Sequence, residues 1–196
     1  MKETTACHIF QHPWDTVVQA VWRKYPNPVS ESVIGTDIVD REINKQGILQ
    51  THRLMKTQWF VPVVGRALIG DQKVAYGSEH SECDPKNKTL TVISKNITYS
   101  SLVTIAETLT YSPGPEGQNQ THLNHCTKVT VNNRMPLASY WEKLVTNIVE
   151  SNTSKVRSTV SPWPAQVLYI STPHGYWKFC LCSSYFPSQY KGGILY

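Results

Sequence analysis

The chain has 196 residues, 40% of them hydrophobic, and a formal net charge of +5. That length fits one domain with a tail, and no stretch approaches the ~20 consecutive apolar residues that span a bilayer as a helix. The positive balance suits an anionic partner such as a membrane surface or an acidic lipid, while the scatter of the basic residues, with no stripe among them, argues against nucleic acid.

The opening MKETTACHIF has neither the apolar core of a secretory signal nor the Arg-rich character of a matrix presequence. The N-x-[ST] matches at Asn87, Asn96, Asn119 and Asn152 are accordingly read as chance. Cys7, Cys83, Cys126, Cys180 and Cys182 are odd in number and follow no disulfide framework, so they read as reduced thiols. His122, His125 and Cys126, even with His80 and Cys83, include no CxxC pair, and no metal site is expected of them.

Thr4 to Phe10 reads as a short strand. His12-Pro13-Trp14-Asp15 then opens a helix, with Pro13 at its first position and His12 or a neighbour as cap. Trp14, Val17, Val18, Val21 and Trp22 recur at the spacing of one helical face. Arg23 and Lys24 end it, where cations oppose the negative end of the dipole, and Tyr25-Pro26-Asn27-Pro28 cannot continue it.

Three hairpins come next. Val33 to Ile43 and Ile48 to Lys56 flank a turn at Asn44 to Gly47; Val74 to Glu82 and Thr89 to Ile97 flank Asp84 to Lys88; Leu102 to Tyr111 and Thr121 to Val131 flank a Pro- and Gly-rich connection. Successive hairpins imply one antiparallel meander rather than βαβ units. Between them, Trp59 to Gly70 is largely apolar and reads either as a packed connection or as a mobile, membrane-touching lid. Pro136 to Lys155 is the longest helical pattern, with Leu137, Tyr140, Trp141, Leu144, Val145, Ile148 and Val149 along one face. About seven strands and one long C-terminal helix make an α+β helix-grip fold, a curved sheet around a helix with room for a ligand between them. Residues 156–196 carry four prolines, lose hydrophobic periodicity and contain no Asp or Glu; they are expected to be a poorly ordered appendage.

Ile9-Phe10, His12-Pro13-Trp14-Asp15 and above all Arg23-Lys24-Tyr25-Pro26-Asn27-Pro28 resemble the PRELI/slowmo family, closest to its slowmo branch. Asp84-Pro85, Lys95-Asn96-Ile97 and Ser151-Asn152-x-x-Lys155 fall in the expected order, so the resemblance covers residues 1–155, with 156–196 divergent. It implies a START-like fold and transfer of phosphatidic acid or phosphatidylserine across the mitochondrial intermembrane space. It also implies a small twin-CX9C helical protein as partner, an anionic membrane surface as docking site, and no cofactor. By the same resemblance Lys24, Arg53, Lys56 and Lys155 match the headgroup positions; phosphate is well met by Arg forks and Lys point charges. Arg53 and Lys56 have opposite parity on a strand, so both face one side only if the strand bends or ends between them. Trp59, Phe60, Val61, Arg66 and Leu68 fall where the family has its lid, with Phe60 where another member carries a basic residue.

The chain departs from the family after Lys155, where the final helix is cut short as in an alternative splice isoform. That leaves an interaction protein without transfer activity as the alternative function. Asp15, Glu79, His80 and Glu107 could supply acid and base to an enzyme, but no nucleophile motif accompanies them, and no catalysis is expected.

Overall fold

Among the described residues, strand patterning produces one sheet, crossed by a short helix. A computed structural model describes residues 1–25, 33–58, 74–115, 119–134, 137–147 and 149. Seven strands run in the order β1 (Lys2–Phe10), α1 (Trp14–Trp22), β2 (Val33–Ile43), β3 (Leu49–Gln58), β4 (Val74–Asp84), β5 (Thr89–Asn96), β6 (Val103–Pro113) and β7 (Thr121–Val131). Residues 138–147 and 149 are helical, and we call them α2. The described part of α2 lies within the expected 136–155 and buries Trp141 and Thr146.

In space the strands lie β1-β7-β6-β5-β4-β3-β2, every neighbouring pair antiparallel. The two strands nearest in sequence to α1 therefore form the two edges, and the chain crosses the sheet between them. The hairpins pin the register. In the first, Asn44 Oδ1 accepts from the Gln46 and Ile48 amides at 2.9 and 3.0 Å, and Gly47 takes φ +84°, a left-handed conformation that costs glycine little. In the second, Asp84 Oδ1 accepts from the Lys86 and Asn87 amides at 2.9 and 3.1 Å.

α1 starts one residue later than expected. Pro13 is its N-cap, and no side chain caps it. The His12 carbonyl instead accepts from Thr121 Oγ1 at 2.8 Å, which ties the helix start to β7. The apolar face then packs on the inward side chains of the sheet: Trp14, Val17, Val18 and Val21 join Phe10, Cys83, Leu90, Val92, Tyr111 and Leu123 in one core. Each fully buried valine contributes about 1.5–3 kcal/mol. Trp14 Nε1 donates to the Tyr111 carbonyl at 3.2 Å, so the indole's one polar atom is satisfied inside that core.

Cross-strand pairing defines which residues share the inner face, because directly opposed residues point to the same side. One row, Leu49–Cys83–Leu90–Tyr111–Leu123, lies in or against the core beneath α1. Two residues further along each strand, Thr51–Ser81 continues into Val92, Leu109 and His125, and two residues beyond that runs a polar row, Arg53–Glu79–Ser94–Glu107–Thr127. Past the core, inward-facing Met55, Ser94 and Ile105 are only half-buried, and Ile38 opposite Arg53 is 54% exposed. The inner face is thus filled at one end by α1 and part-open at the other.

Candidate functional site

Where the filled end meets the open end, two cations close on one carboxylate, and a third lies beside them. Lys24 reaches the site because α1 stops at Trp22 with Arg23 as its C-cap, which delivers the next side chain over β4. Its Nζ lies 3.3 Å from Glu79 Oε2 and 5.2 Å from the centre of the Tyr25 ring. Arg53, directly opposite Glu79 in the β3–β4 register, donates from Nε to Glu79 Oε1 at 2.9 Å, and its terminal nitrogen pairs with the same oxygen. Glu79 is 1% exposed and Arg53 7%.

Arg41 comes from edge strand β2. The register slips between Ile38 and Asp40, a bulge that inserts one residue and re-aims the side chains beyond it. Without it, Ile38 and Arg41, three apart, would face opposite sides; with it, Ile38 opposes Arg53 and Arg41 opposes Thr51, both on the inner face. Arg41 Nε donates to Thr51 Oγ1 at 3.2 Å.

The charges respond to one another. Burial alone would depress the Lys24 ammonium, but the Glu79 carboxylate together with Tyr25 and Tyr111 outweighs it and holds Lys24 above its ordinary value. Burial alone would raise Glu79, but Lys24 and Arg53 hold it below the usual carboxylate range. The Arg41 guanidinium is eased downward by burial and by the nearby Arg53. Lys24 and Arg53 against Glu79 leave a net positive charge largely removed from water among the described residues. Such an arrangement gains most from a further anion with several acceptor oxygens, of which phosphate is the common example.

Of the expected headgroup residues, Lys24 and Arg53 meet at Glu79. Lys56 does not join them. β3 continues to Gln58 and pairs with β4 without a register slip, so parity holds. Lys56 is exposed on the outer face beside Tyr76. Lys155, the lid positions Trp59, Phe60, Val61, Arg66 and Leu68, and residues 156–196 lie outside the described residues. Sequence reasoning missed Arg41, since no local signal reveals a bulge on an edge strand. It noticed Glu79 only as a possible acid or base, whereas Glu79 is engaged as counter-ion to two cations. The histidines and cysteines weighed for a metal divide between the faces: His125 and Cys83 point inward, His122, Cys126 and His80 outward. His80 stacks on His52 at 4.0 Å between ring centres.

Residues 15–163 match the family model described as PRELI-like. A UPS-like protein of Schizosaccharomyces pombe is 40% identical over 116 residues, 59% of this chain and 63% of that protein. Protein UPS2, mitochondrial, of Saccharomyces cerevisiae is 38% identical over 117 residues, 59% of this chain and 51% of that protein. PRELI domain-containing protein 1, mitochondrial, of Gallus gallus is 32% identical over 124 residues, 62% and 58% of the two chains. The chain thus spans about half to three fifths of the length of these curated relatives.

Among solved structures, a START superfamily protein from Mycobacterium smegmatis superposes with a TM-score of 0.51 at 12% identity, covering 84% of this chain and 98% of that one. A protein from Thermus thermophilus gives 0.56 at 17% identity, covering 87% and 100%. The Zhui aromatase/cyclase of a Streptomyces species gives 0.57 at 10%, covering 85% and 95%. At such identities the likeness carries the fold alone, and the fold is START-like helix-grip.

Proposed function

The chain belongs to the PRELI-like family, and on that premise we propose that it carries single phospholipids between the membranes of the mitochondrion, across the intermembrane space. The observation that carries this reading is the buried pair Lys24 and Arg53 on Glu79, with part-buried Arg41 bonded to neighbouring Thr51, set beside a part-open inner face with Met55, Ile105 and Ile38 half-buried or exposed. One end of the ligand is an anion and the other is apolar; a glycerophospholipid is both. Phosphatidic acid or phosphatidylserine would place its phosphate against Lys24 and Arg53, with Lys155 as a further cation. Its acyl chains would lie along the open part of the sheet, each buried CH₂ contributing about 0.8 kcal/mol.

Loading and release would occur at an anionic membrane surface, with Trp59, Phe60, Val61, Arg66 and Leu68 as the lid that swings aside. Lys56, exposed on the outer face and three residues before that segment in the chain, would meet headgroups of the bilayer. The names of two relatives call them mitochondrial, which supports the compartment. A small twin-CX9C helical protein is the proposed partner. No covalent step is assigned: Glu79 is held by two cations, which removes it as a free base.

The test is mass spectrometry of lipid extracted from the purified chain, together with vesicle-to-vesicle transfer. Stoichiometric phospholipid and accelerated transfer are expected. A protein that emerges lipid-free and leaves transfer at the spontaneous rate refutes the carrier role.

A further inference from the structure

The inner face holds a second charged group two strands beyond the cationic cluster. Glu107 of β6 stands in the same cross-strand row as Arg53 and Glu79, with Ser94 of β5 between them. Its side chain is 31% exposed, far more open than Glu79. Among the described residues no lysine or arginine lies within ion-pair distance of it. What it meets is His125 of β7: Glu107 Oε1 is 3.4 Å from His125 Nε2, which is itself 3.1 Å from Thr127 Oγ1. His125 meets the carboxylate from the β7 side, and Ser94 stands directly opposite Glu107 on the β5 side. Along one row the sheet therefore presents a guanidinium and an ammonium at β3–β4, a hydroxyl at β5 and a carboxylate at β6.

We infer that Glu107 is a specificity-determining residue: the second anchor of the headgroup site, which favours lipids bearing an ammonium group beyond their phosphate. The inference rests on the phospholipid-carrier reading above and deepens it. The geometry suits such a headgroup. The Arg53 guanidinium sits on Glu79, so the positive centre lies at β4 and the negative one at β6, two strand spacings or roughly 10 Å apart. A phosphoethanolamine unit with a charge-assisted hydrogen bond of ~2.8 Å at each end spans that distance. The Ser94 hydroxyl lies between, in reach of the phosphate. A phosphatidic acid offers Glu107 no cation and sets its own negative charge against the carboxylate, so this arrangement discriminates by attraction to one headgroup and by repulsion of the other.

The experiment compares wild type and Glu107→Gln in binding three soluble probes: dihexanoyl phosphatidylethanolamine, dihexanoyl phosphatidic acid, and phosphoethanolamine without acyl chains. Titration calorimetry supplies Kd, and a thermal melt checks that the isosteric variant is folded. The substitution is expected to weaken the ethanolamine lipid about tenfold, the scale of one charge-assisted hydrogen bond, and to tighten phosphatidic acid about two- to threefold as the repelling charge is removed. Equal weakening of both lipids, or of neither, overturns the assignment. Phosphoethanolamine binding as tightly as the lipid would overturn a lipid headgroup as the source. Wild type that binds neither lipid overturns this inference, and it overturns the cargo reading as well if dihexanoyl phosphatidylserine is also left unbound. Wild type that binds both but moves no long-chain lipid between vesicles overturns carrying alone, and the Kd ratio still decides the role of Glu107.

Discussion

Lys24 Nζ and Glu79 Oε2 lie 3.3 Å apart although 55 residues separate them in the chain. The contact joins the end of the crossing helix to the middle of the sheet, and Arg53 closes on the same carboxylate from the next strand. Two cations thus depend on one buried anion, and that dependence shapes the expected behaviour of the site.

Replacing Glu79 by Ala should destabilise the fold strongly. It strips both Lys24 and Arg53 of their counter-ion, and removing one partner of a buried ion pair costs about 3–5 kcal/mol. Urea unfolding should show a lower midpoint with little change in slope. Added short-chain phosphatidic acid should restore part of the loss, because its phosphate takes the place of the missing carboxylate; no recovery would separate this cluster from anion binding.

The same cluster sets a pH window. Glu79 is held below its ordinary 4.5, because Lys24 and Arg53 outweigh burial. A depressed carboxyl contributes stability that is complete above its unfolded value and is lost as pH falls through the folded one. Lys24 is held above its ordinary 10.5, because Glu79 with Tyr25 and Tyr111 outweighs burial. Its contribution is complete below the unfolded value and is lost as pH rises through the folded one. These two groups therefore sustain the fold between about pH 5 and 10 and withdraw on either side. Denaturant midpoints measured across pH should show both limbs, and Glu79→Gln should flatten the acid one.

Arg53 and Lys56 should part company on substitution. Arg53 is inward and buried, Lys56 outward and exposed. Arg53→Ala should slow vesicle-to-vesicle transfer of phosphatidic acid by about tenfold or more, since a bond to a charged group contributes about 1.5–3 kcal/mol. Lys56→Ala should leave the amount of lipid bound per protein unchanged. Equal effects of the two on bound lipid would contradict their placement on opposite faces.

Trp14 anchors the crossing helix. It is buried beneath α1 and donates to the Tyr111 carbonyl at 3.2 Å. Trp14→Ala should cost about 3–5 kcal/mol from the cavity and lost burial. Trp14→Phe keeps most of the packing, gives up the indole donor, and should cost about 1 kcal/mol from the lost hydrogen bond. Chemical denaturation of both variants checks the ranking.

Much of the architecture was legible in the residues. The limits of β2 and β7 coincide with those expected, and the other strands differ by one or two residues at one end or, in β3 and β6, at both. Alternation and turn chemistry are local: Asn44 and Asp84 bond amides within four residues of themselves, so neighbouring residues suffice to announce them. The parity conflict between Arg53 and Lys56 was legible too, because side-chain alternation along a strand is a property of the backbone. The helix cap was not legible: the His12 carbonyl is bonded by Thr121, 109 residues away.

What the linear order of residues determined by itself is a meander of strands, a short amphipathic helix, the family, and hence a START-like fold, because hydrophobic period and turn preference act over a few residues. What only the tertiary structure decided is the company each charge keeps. Arg41 faces inward through a bulge in an edge strand, Glu79 becomes the anion of two cations, and Glu107 falls into their row across two further strands. Those placements depend on pairing register between segments distant in the chain, where a slip of one residue would turn each side chain to the other face.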